Sequence, residues 1–390
     1  MRKVKLGKIS KVVSGSTAPK AEAFNEKEGL PFVRAGHLEA LCNGEDINNL
    51  PKVKEGSGKL VAVPKHTVIF AKSGMSIMKN RIYTTTEKVY IVNHLAGVIC
   101  NQQFIIPQYL KYFLLIFKPS TLIVDESYPS IRLKDIENIY IPLPDLQIQH
   151  KIVQVLDKAQ ALIDKRKEQI KLCDELIQSL FYDMFGDPVT NPKKFVIGTI
   201  RDMVADVKYG TSKKPNDNDG EFPILRMNNI TYNGYIDLTD LKYIDLNEEE
   251  REKYLVRKGD VLFNRTNSKE LVGKTAVYKY DYPMAFAGYL IRVRTNKENN
   301  PEYLSAVLNP PYGKATLRGM CKNIIGMANI NAEELQNIKV PLPPVELQNL
   351  FAEKVRKIEH QKQLLQQSLA LLEDNFNSLM QKAFKGELFQ

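Results

Sequence analysis

The stretch Ile131-Arg-Leu-Lys-Asp-Ile-Glu-Asn-Ile-Tyr-Ile-Pro-Leu-Pro144 returns, altered but ungapped, as Ile330-Asn-Ala-Glu-Glu-Leu-Gln-Asn-Ile-Lys-Val-Pro-Leu-Pro343. At this offset of 199 residues, Asn138 falls on Asn337, Pro142 on Pro341, Pro144 on Pro343 and Gln149 on Gln348. Self-similarity at a fixed period marks a duplicated structural unit. The register continues downstream. Leu156, Ala159, Ile163, Arg166, Ile170, Cys173, Ile177, Leu180 and Met184 alternate three and four apart. Val355, Ile358, Lys362, Leu365, Leu369, Leu372, Phe376, Leu379 and Ala383 do the same, each 199 residues on. This is a heptad seam sustained over about four heptads. Neither run contains Pro or Gly. Each reads as one helix of roughly 35 to 38 residues, about 55 Å long at the α-helical rise. Ordinary globular helices average about 11 to 12 residues, so the pair reads as a helix–helix strut. Arg166 and Lys362 lie on the seams as snorkelling or register-setting residues. The proline pairs before the helices are expected to form rigid turns where no helix can run.

Upstream of each helix lies a domain, and the two domains resemble each other more loosely. Leu6-Gly7-Lys8-Ile9 parallels Ile197-Gly198-Thr199-Ile200, and Phe32 to Leu38 parallels Ile224 to Ile230. Val68-Ile-Phe-Ala-Lys72-Ser-Gly74 parallels Val261-Leu-Phe-Asn-Arg265-Thr-Asn267, and Tyr109 to Leu114 parallels Tyr303 to Leu308. The offsets here run from 191 to 194, so the loops differ in length. Thr67 to Phe70 and Asp260 to Phe263 alternate as strands do, while Leu133 to Ile136 and Ala332 to Leu335 read as short helical turns. The chain is therefore partitioned as a first domain at 1–146, a central helix at 147–187, a second domain at 188–345 and a final helix at 346–390. Strictly repeated helices beside loosely repeated domains suggest a scaffold carrying two readers of different things.

Composition sets the bounds. The 390 residues allow two or three domains with sizeable cores. The longest apolar stretches, such as Tyr109 to Phe117, contain a charge and fall short of the roughly 18 residues that span a bilayer. The N-terminus shows no signal-peptide core, so a cytoplasmic protein is expected. Cys42, Cys100, Cys173 and Cys321 form no C-x-x-C pair, and the five histidines are scattered, which points to neither a disulfide framework nor a metal site. The formal charge of +10 permits a polyanionic partner. The first 187 residues have a net charge of +6 and the remainder +4.

At this point the residues resemble the specificity subunits of type I restriction–modification systems. The carriers are Val4-Lys-Leu-Gly-Lys-Ile-Ser10, the two Pro-Leu-Pro turns, Ser179-Leu-Phe-Tyr-Asp-Met-Phe-Gly-Asp-Pro188 and Gln381-Lys-Ala-Phe-Lys-Gly-Glu-Leu388. The resemblance covers nearly the whole chain. It implies an α+β protein in which two mixed α/β target recognition domains are joined by two long antiparallel coiled-coil helices with pseudo-two-fold symmetry. It implies that each domain reads one half of a bipartite target on double-stranded DNA, and that the helices dock two modification (methyltransferase) subunits. Restriction subunits join the larger assembly. The chain itself would be non-catalytic and bind no cofactor, with S-adenosylmethionine, ATP and Mg²⁺ belonging to the partners.

Candidate DNA-binding residues lie where the two domains share polar positions in turns after strands. In the first domain they are Arg34, His37, Lys72, Ser73, Lys79, Arg81, Ser130 and Arg132. In the second they are Arg226, Asn228, Asn229, Arg265, Asn267, Lys269, Lys274 and Asn329. Arg forks to guanine and Asn to adenine, and both, like Lys, also meet phosphates. The bland alternative for each is a solvated surface residue or a hydrogen-bonded turn, and it weighs more for a Lys than for an Arg, because phosphate contacts and bare surface look alike in sequence.

One motif argues for an enzyme, and two others only resemble catalytic motifs. Asn309-Pro-Pro-Tyr312 matches the catalytic tetrapeptide of adenine-N6 methyltransferases, which flip their target base. A DNA adenine methyltransferase, alone or fused to a recognition module, is therefore the alternative reading. Such an enzyme also needs a glycine-rich cofactor loop, and Phe286-Ala-Gly288 lacks its second glycine. Asn-Pro-Pro is also a natural stop for a helix over 301–308. Gly273-Lys274-Thr275 resembles the end of a P-loop but has Ser268 where the earlier glycine belongs. Pro144-Asp145 with Glu168-Gln-Ile-Lys171 has nuclease-like spacing that is one residue too long, and the latter lies on a solvated helix face. A two-headed scaffold without DNA contact is a third reading. Absence of DNA binding at every salt concentration would favour it, since phosphate-driven binding strengthens steeply as salt falls.

Overall fold

A computed structural model of the chain describes residues 2–25, 28–54, 59–309, 311–320 and 328–389, with Pro311 and Tyr312 as backbone. Two compact units are present: Met1–Arg166 with Ser368–Gln390, and Lys167–Gln367.

In the first unit, the opening strand Lys3–Lys5 pairs antiparallel with Tyr140–Pro142, the strand that ends the domain. Between them, Ser10–Ser14, Leu95–Cys100, Val68–Ala71 and Ile82–Thr84 form an antiparallel sheet in that order. All four residues of Val68–Ala71 are buried, because this central strand is covered on both faces and the helix Pro107–Phe117 packs on it. A second sheet runs Phe24–Asn25, Lys52–Val53, Leu30–Val33, Val89–Ile91, Ala62–Val63, with Leu30–Val33 and Val89–Ile91 parallel. The first sheet's edge strand passes so close to the next segment that a Cβ on Gly15 would lie 2.2 Å from the Ile91 and Val92 carbonyl oxygens. Only glycine fits there.

The second unit repeats this plan. Val196–Thr199 pairs antiparallel with Lys339–Leu342. The sheet order is Val204–Tyr209, Leu290–Thr295, Val261–Asn264, Thr275–Val277, with the helix Pro301–Leu308 against it. The second sheet again holds one parallel pair, Phe222–Leu225 with Met284–Phe286. Gly210 stands in for Gly15, its Cβ position 2.3 Å from the Ala287 oxygen. The duplication therefore extends to sheet order and to the backbone crossings that need glycine, where sequence similarity is faint.

The central helix is Leu146–Phe185, 40 residues, and the final helix is Val345–Lys385, 41 residues. In the first unit, Ile152, Leu156 and Ile163 share one core with Phe376, Met380 and Ala383. In the second, Phe181 and Phe185 pack on Phe351, and Val355 joins the same core. In each unit the start of one long helix thus lies with the end of the other, which makes the pair antiparallel. Every seam position, Arg166 and Lys362 included, is buried or half-buried. Lys362 binds the Asp174 carboxylate, and its ammonium lies 4.1 Å from the centre of the Tyr235 ring. The proline segments hold less turn than their sequence suggested: Pro142 and Pro341 sit inside two-stranded pairings, where each strand has a free edge and a missing N–H can be accommodated.

Each long helix is locked to its domain by a buried glutamine. Gln149, with no exposed surface, accepts from the Ile106 N–H at 3.0 Å and donates to the Phe104 and Pro144 carbonyls at 2.8 and 2.9 Å. Gln348, equally buried, accepts from the Asn300 N–H at 2.8 Å and donates to the Asn299 side chain at 3.1 Å and the Pro343 carbonyl at 2.8 Å. Tyr109 and Tyr303 complete the joints by donating to the Pro142 and Pro341 carbonyls.

Candidate nucleic-acid interface

Two devices recur in both domains and gather most of the candidate residues. The first is a single 3₁₀ turn after a buried strand, Ala35–His37 in one domain and Met227–Asn229 in the other. Arg34 and Arg226 stand at its start. The Arg34 N–H donates to His37 Nδ1 at 3.3 Å, and the Arg226 N–H donates to Asn229 Oδ1 at 2.9 Å. His37 and Asn229 therefore close their turns. Asn229 is buried and donates to the Asp237 and Asp240 carbonyls, so its amide is spent on the fold and is not presented to a base edge. His37 is half-buried, and burial together with the neighbouring Arg34 charge lowers its pKa.

The arginines differ in what holds them. Arg34 is exposed, its guanidinium 5.0 Å from the Phe24 ring centre. Arg226 donates to the Asp240 carboxylate at 2.8 Å, and Asn228 donates to the same oxygen at 3.0 Å. Lys274 holds the second turn from below: it is buried and its Nζ donates to the Met227 carbonyl at 2.8 Å. Lys274, like Asn229, therefore belongs to the interior. Gly273 sends its N–H to the Asn264 carbonyl, which leaves no phosphate cradle at Gly273-Lys274-Thr275.

The second device stitches a strand end to the loop preceding the Pro-Leu-Pro strand. In the first domain the Ile131 N–H donates to the Lys72 carbonyl at 2.8 Å and Ser73 bridges Ser130. In the second, the Ile330 N–H donates to the Arg265 carbonyl at 2.9 Å and Thr266 pairs with Asn329. Lys72, Ser73 and Ser130 are thus brought together, as are Arg265, Asn267 and Asn329. The Ser73 hydroxyl lies 2.7 Å from His94 Nδ1, and Asn329 accepts from the Thr266 hydroxyl at 2.9 Å. The Arg265 guanidinium stacks 4.9 Å from the centre of the half-exposed Tyr209 ring. Lys79 and Arg81 both reach Glu39 at 3.0 Å, and these contacts, the Lys79 hydrogen bond first, hold the Glu39 carboxyl below its ordinary pKa. Arg132 and Lys269 are exposed.

Several exposed side chains beside these clusters were not singled out by the sequence: Met75, Met78 and Tyr128 in the first domain, Tyr209 and Tyr289 in the second. Apolar residues carry no polar signal by which sequence alone could pick them. The sequence also carries a basic run, although its Lys314 turns inward in the fold. Between Glu302 and Glu333 the chain has no Asp or Glu but has Lys314, Arg318 and Lys322.

The catalytic motifs are consumed by structure. Helix Pro301–Leu308 stops at Asn309 and a new helix covers Pro311–Met320. The Asn309 amide donates to the Thr275 carbonyl at 2.8 Å and the Ser305 hydroxyl at 3.2 Å, while its oxygen takes the Lys314 ammonium at 3.3 Å. The Asn309 side chain is thus hydrogen-bonded within the fold through both its amide and its oxygen. Pro310 and the Tyr312 side chain lie outside the described residues. Asp145 caps the central helix through the Ile148 N–H at 2.9 Å, and Lys171 pairs with Glu175. Among the described residues no cluster of three His, Cys, Asp or Glu could hold a metal ion, and no helix is long and apolar enough to cross a membrane.

A cavity of about 520 Å³ lies in the second unit between Phe181, Phe351, Tyr232, Glu302 and Lys314. Burial, with Lys274 and Arg318 nearby, pushes the Lys314 pKa from 10.5 down to about 8. Its folded pKa lies below its unfolded value, so the folded protein loses this proton first. The contribution of this one group to stability therefore rises between about pH 8 and 10.5. Urea midpoints measured across that window should carry this contribution as a pH slope that Lys314→Met makes less positive. An unchanged slope in the variant would exclude this lysine as its source.

A family model described as the type I restriction modification DNA specificity domain matches residues 1–172 and again 192–374. The type I restriction enzyme EcoKI specificity subunit of Escherichia coli (strain K12) is 26% identical over 97% of this chain and 87% of that protein. The StySPI specificity subunit of Salmonella potsdam is 25% identical over the same shares. Among solved structures, a chain from a study of complex assembly and conformational transition of the type I R-M system superposes with a TM-score of 0.63 at 18% identity, covering 99% of this chain and 98% of that one. The S subunit from M. genitalium gives 0.55 at 13% identity, covering 98% and 96%.

Proposed function

Because the chain belongs to the type I restriction–modification DNA specificity family, we propose that its two domains read the two halves of one bipartite DNA target while its long helices space them. The observation that carries this is the duplicated pair of devices: each domain holds an arginine at the start of a 3₁₀ turn and a second cluster at a stitched strand end. Arg34, Arg226 and Arg265 are the base readers in this proposal. Lys72, Lys79, Arg132 and Lys269 supply phosphate contacts, which position without specifying. Asp240 and Glu39 hold Arg226, Lys79 and Arg81 until a phosphate or base replaces them.

The long helices also carry the docking sites for two modification subunits in this reading. Leu162, Leu172 and Leu176 on the central helix and Leu364 and Leu371 on the final helix are 45% to 65% exposed. Leu172 and Leu371 are 199 residues apart, so each helix offers one equivalent leucine. Methyl transfer, ATP and Mg²⁺ chemistry, with S-adenosylmethionine as donor, is assigned to the modification and restriction partners, and the chain is non-catalytic. Asn309, engaged on every side, supports that assignment.

Mapping the methylated sites in DNA from cells that carry the chain with its modification partner tests the proposal. A bipartite, asymmetric motif is expected. Arg34→Ala should cost about 1–3 kcal/mol of binding and relax the motif at one position of one half-site, whereas Lys269→Ala should weaken all sequences alike and lower the salt slope by about one. Methylation by the chain without partners would instead favour the adenine methyltransferase reading.

A further inference from the structure

The turn that follows Lys72 and Ser73 in the first domain presents apolar groups where a surface loop would ordinarily be polar. Met75 is 71% exposed and Met78 50% exposed, on the 3₁₀ segment Met75–Lys79. In a 3₁₀ helix residues three apart eclipse, so the two methionines project from the same side, about 6 Å apart along the axis. Ile77 between them is 1% exposed and anchors the segment in the core.

The turn is held at both ends. Gly74, at φ +80, starts it in a conformation suited to glycine, and its N–H donates to the Pro129 carbonyl at 2.9 Å. At the far end, Asn80 donates to the Ser120 hydroxyl at 2.9 Å and accepts from the Ser120 N–H at 3.0 Å. Two exposed methionines on a fixed support are costly to leave in water and gain nothing within the chain. Their neighbourhood is cationic: Lys79 and Arg81 share the single carboxylate of Glu39, and Lys72 and Arg132 flank the stitch. A surface that pairs an apolar centre with cationic flanks fits the floor and walls of a DNA major groove. There the apolar group offered by a base pair is the thymine C5-methyl.

We infer that Met75 and Met78 form an apolar contact for thymine methyl groups in the half-site read by the first domain, a contact that no arginine or asparagine in the domain can make. The inference rests on the proposed reading of DNA by this domain. The 6 Å between the methionines is close to two base steps of 3.4 Å, so one or two thymines within three consecutive base pairs are contacted. At the equivalent positions the second domain has Ser268 and Leu271, so the pair is specific to the first half-site.

The test uses the full chain assembled with its modification subunits and duplexes of the mapped target. Each thymine of the first half-site is replaced in turn by deoxyuridine, which removes the methyl and keeps the base pair. Affinity is expected to fall about 4- to 10-fold at one or two positions, the worth of a buried methyl or slightly more. In the Met75→Ala and Met78→Ala double variant the same replacement should cost nothing, while discrimination at the positions read by Arg34 persists. Deoxyuridine tolerated throughout that half-site by the native chain, or a half-site without thymine, overturns the methyl contact and leaves the DNA reading intact. An assembled complex that binds no DNA overturns both.

Discussion

Insertion of one heptad after Lys167 together with one after Gln367 is expected to abolish binding to the native target and to create binding to a target whose unread gap is about three base pairs longer. Seven helical residues add about 10.5 Å, and three base steps span about 10 Å. Both insertions are needed because the seams pack on each other. The acidic Asp174 must still meet Lys362, and the Phe181 and Phe185 rings must still meet Phe351. An insertion in one helix alone moves half of its seam past the wrong partners and should destabilise the chain. A heptad preserves the seam, since the hydrophobic pattern repeats every seven residues. On the native target one half-site falls out of register, at a cost on the order of 100-fold or more when several base pairs are mismatched. Methylation mapping reads the result directly. Half-sites with unchanged sequence and a wider gap agree with the spacer role. A changed half-site sequence would be incompatible with it.

Gln149→Leu or Gln348→Leu should each loosen one domain from its helix, at about 3 kcal/mol. The leucine fits the volume but deserts three hydrogen-bonding groups around a side chain that has no exposed surface. In the first domain these are the Ile106 N–H and the Phe104 and Pro144 carbonyls. Each buried group left unpaired costs about 1–3 kcal/mol, partly recovered where the joint opens to solvent. Gln149→Glu should be no gentler, because it removes the donor and buries a charge. Gln154, exposed on the same helix, provides the control, and Gln154→Leu should stay within about 0.5 kcal/mol. Thermal unfolding followed by domain-resolved hydrogen exchange would show which joint opens. Equal protection of both domains in both variants would refute the clamp. Because readout requires each domain held firmly on the spacer, the variants should also weaken DNA binding.

The duplication and the two long helices were legible from the residues alone. Helical periodicity and the lack of Pro and Gly are local properties, and a seam repeated at 199 residues needs no knowledge of distant contacts. Gln149 and Gln348 were visible as a repeated pair, yet nothing local says that each reaches a backbone more than forty residues away. The candidate site shows the same division. Turns after strands could be located by pattern, and polar residues in them could be named. Whether such a residue faces solvent depends on which segment folds against it. The packing turned Asn229 and Lys274 inward to hold a turn, kept Arg34 in solvent, and set Arg226 against Asp240. It brought Ser130 to Ser73 and Asn329 to Thr266 across more than fifty residues. It also turned Met75 and Met78 outward, where a hydrophobicity pattern would have buried them. Local sequence thus determined the helices and the repeat, because their forces act within a few residues. The tertiary structure alone decided which side chains remain free to touch DNA, because exposure is set by contacts between segments far apart in the chain.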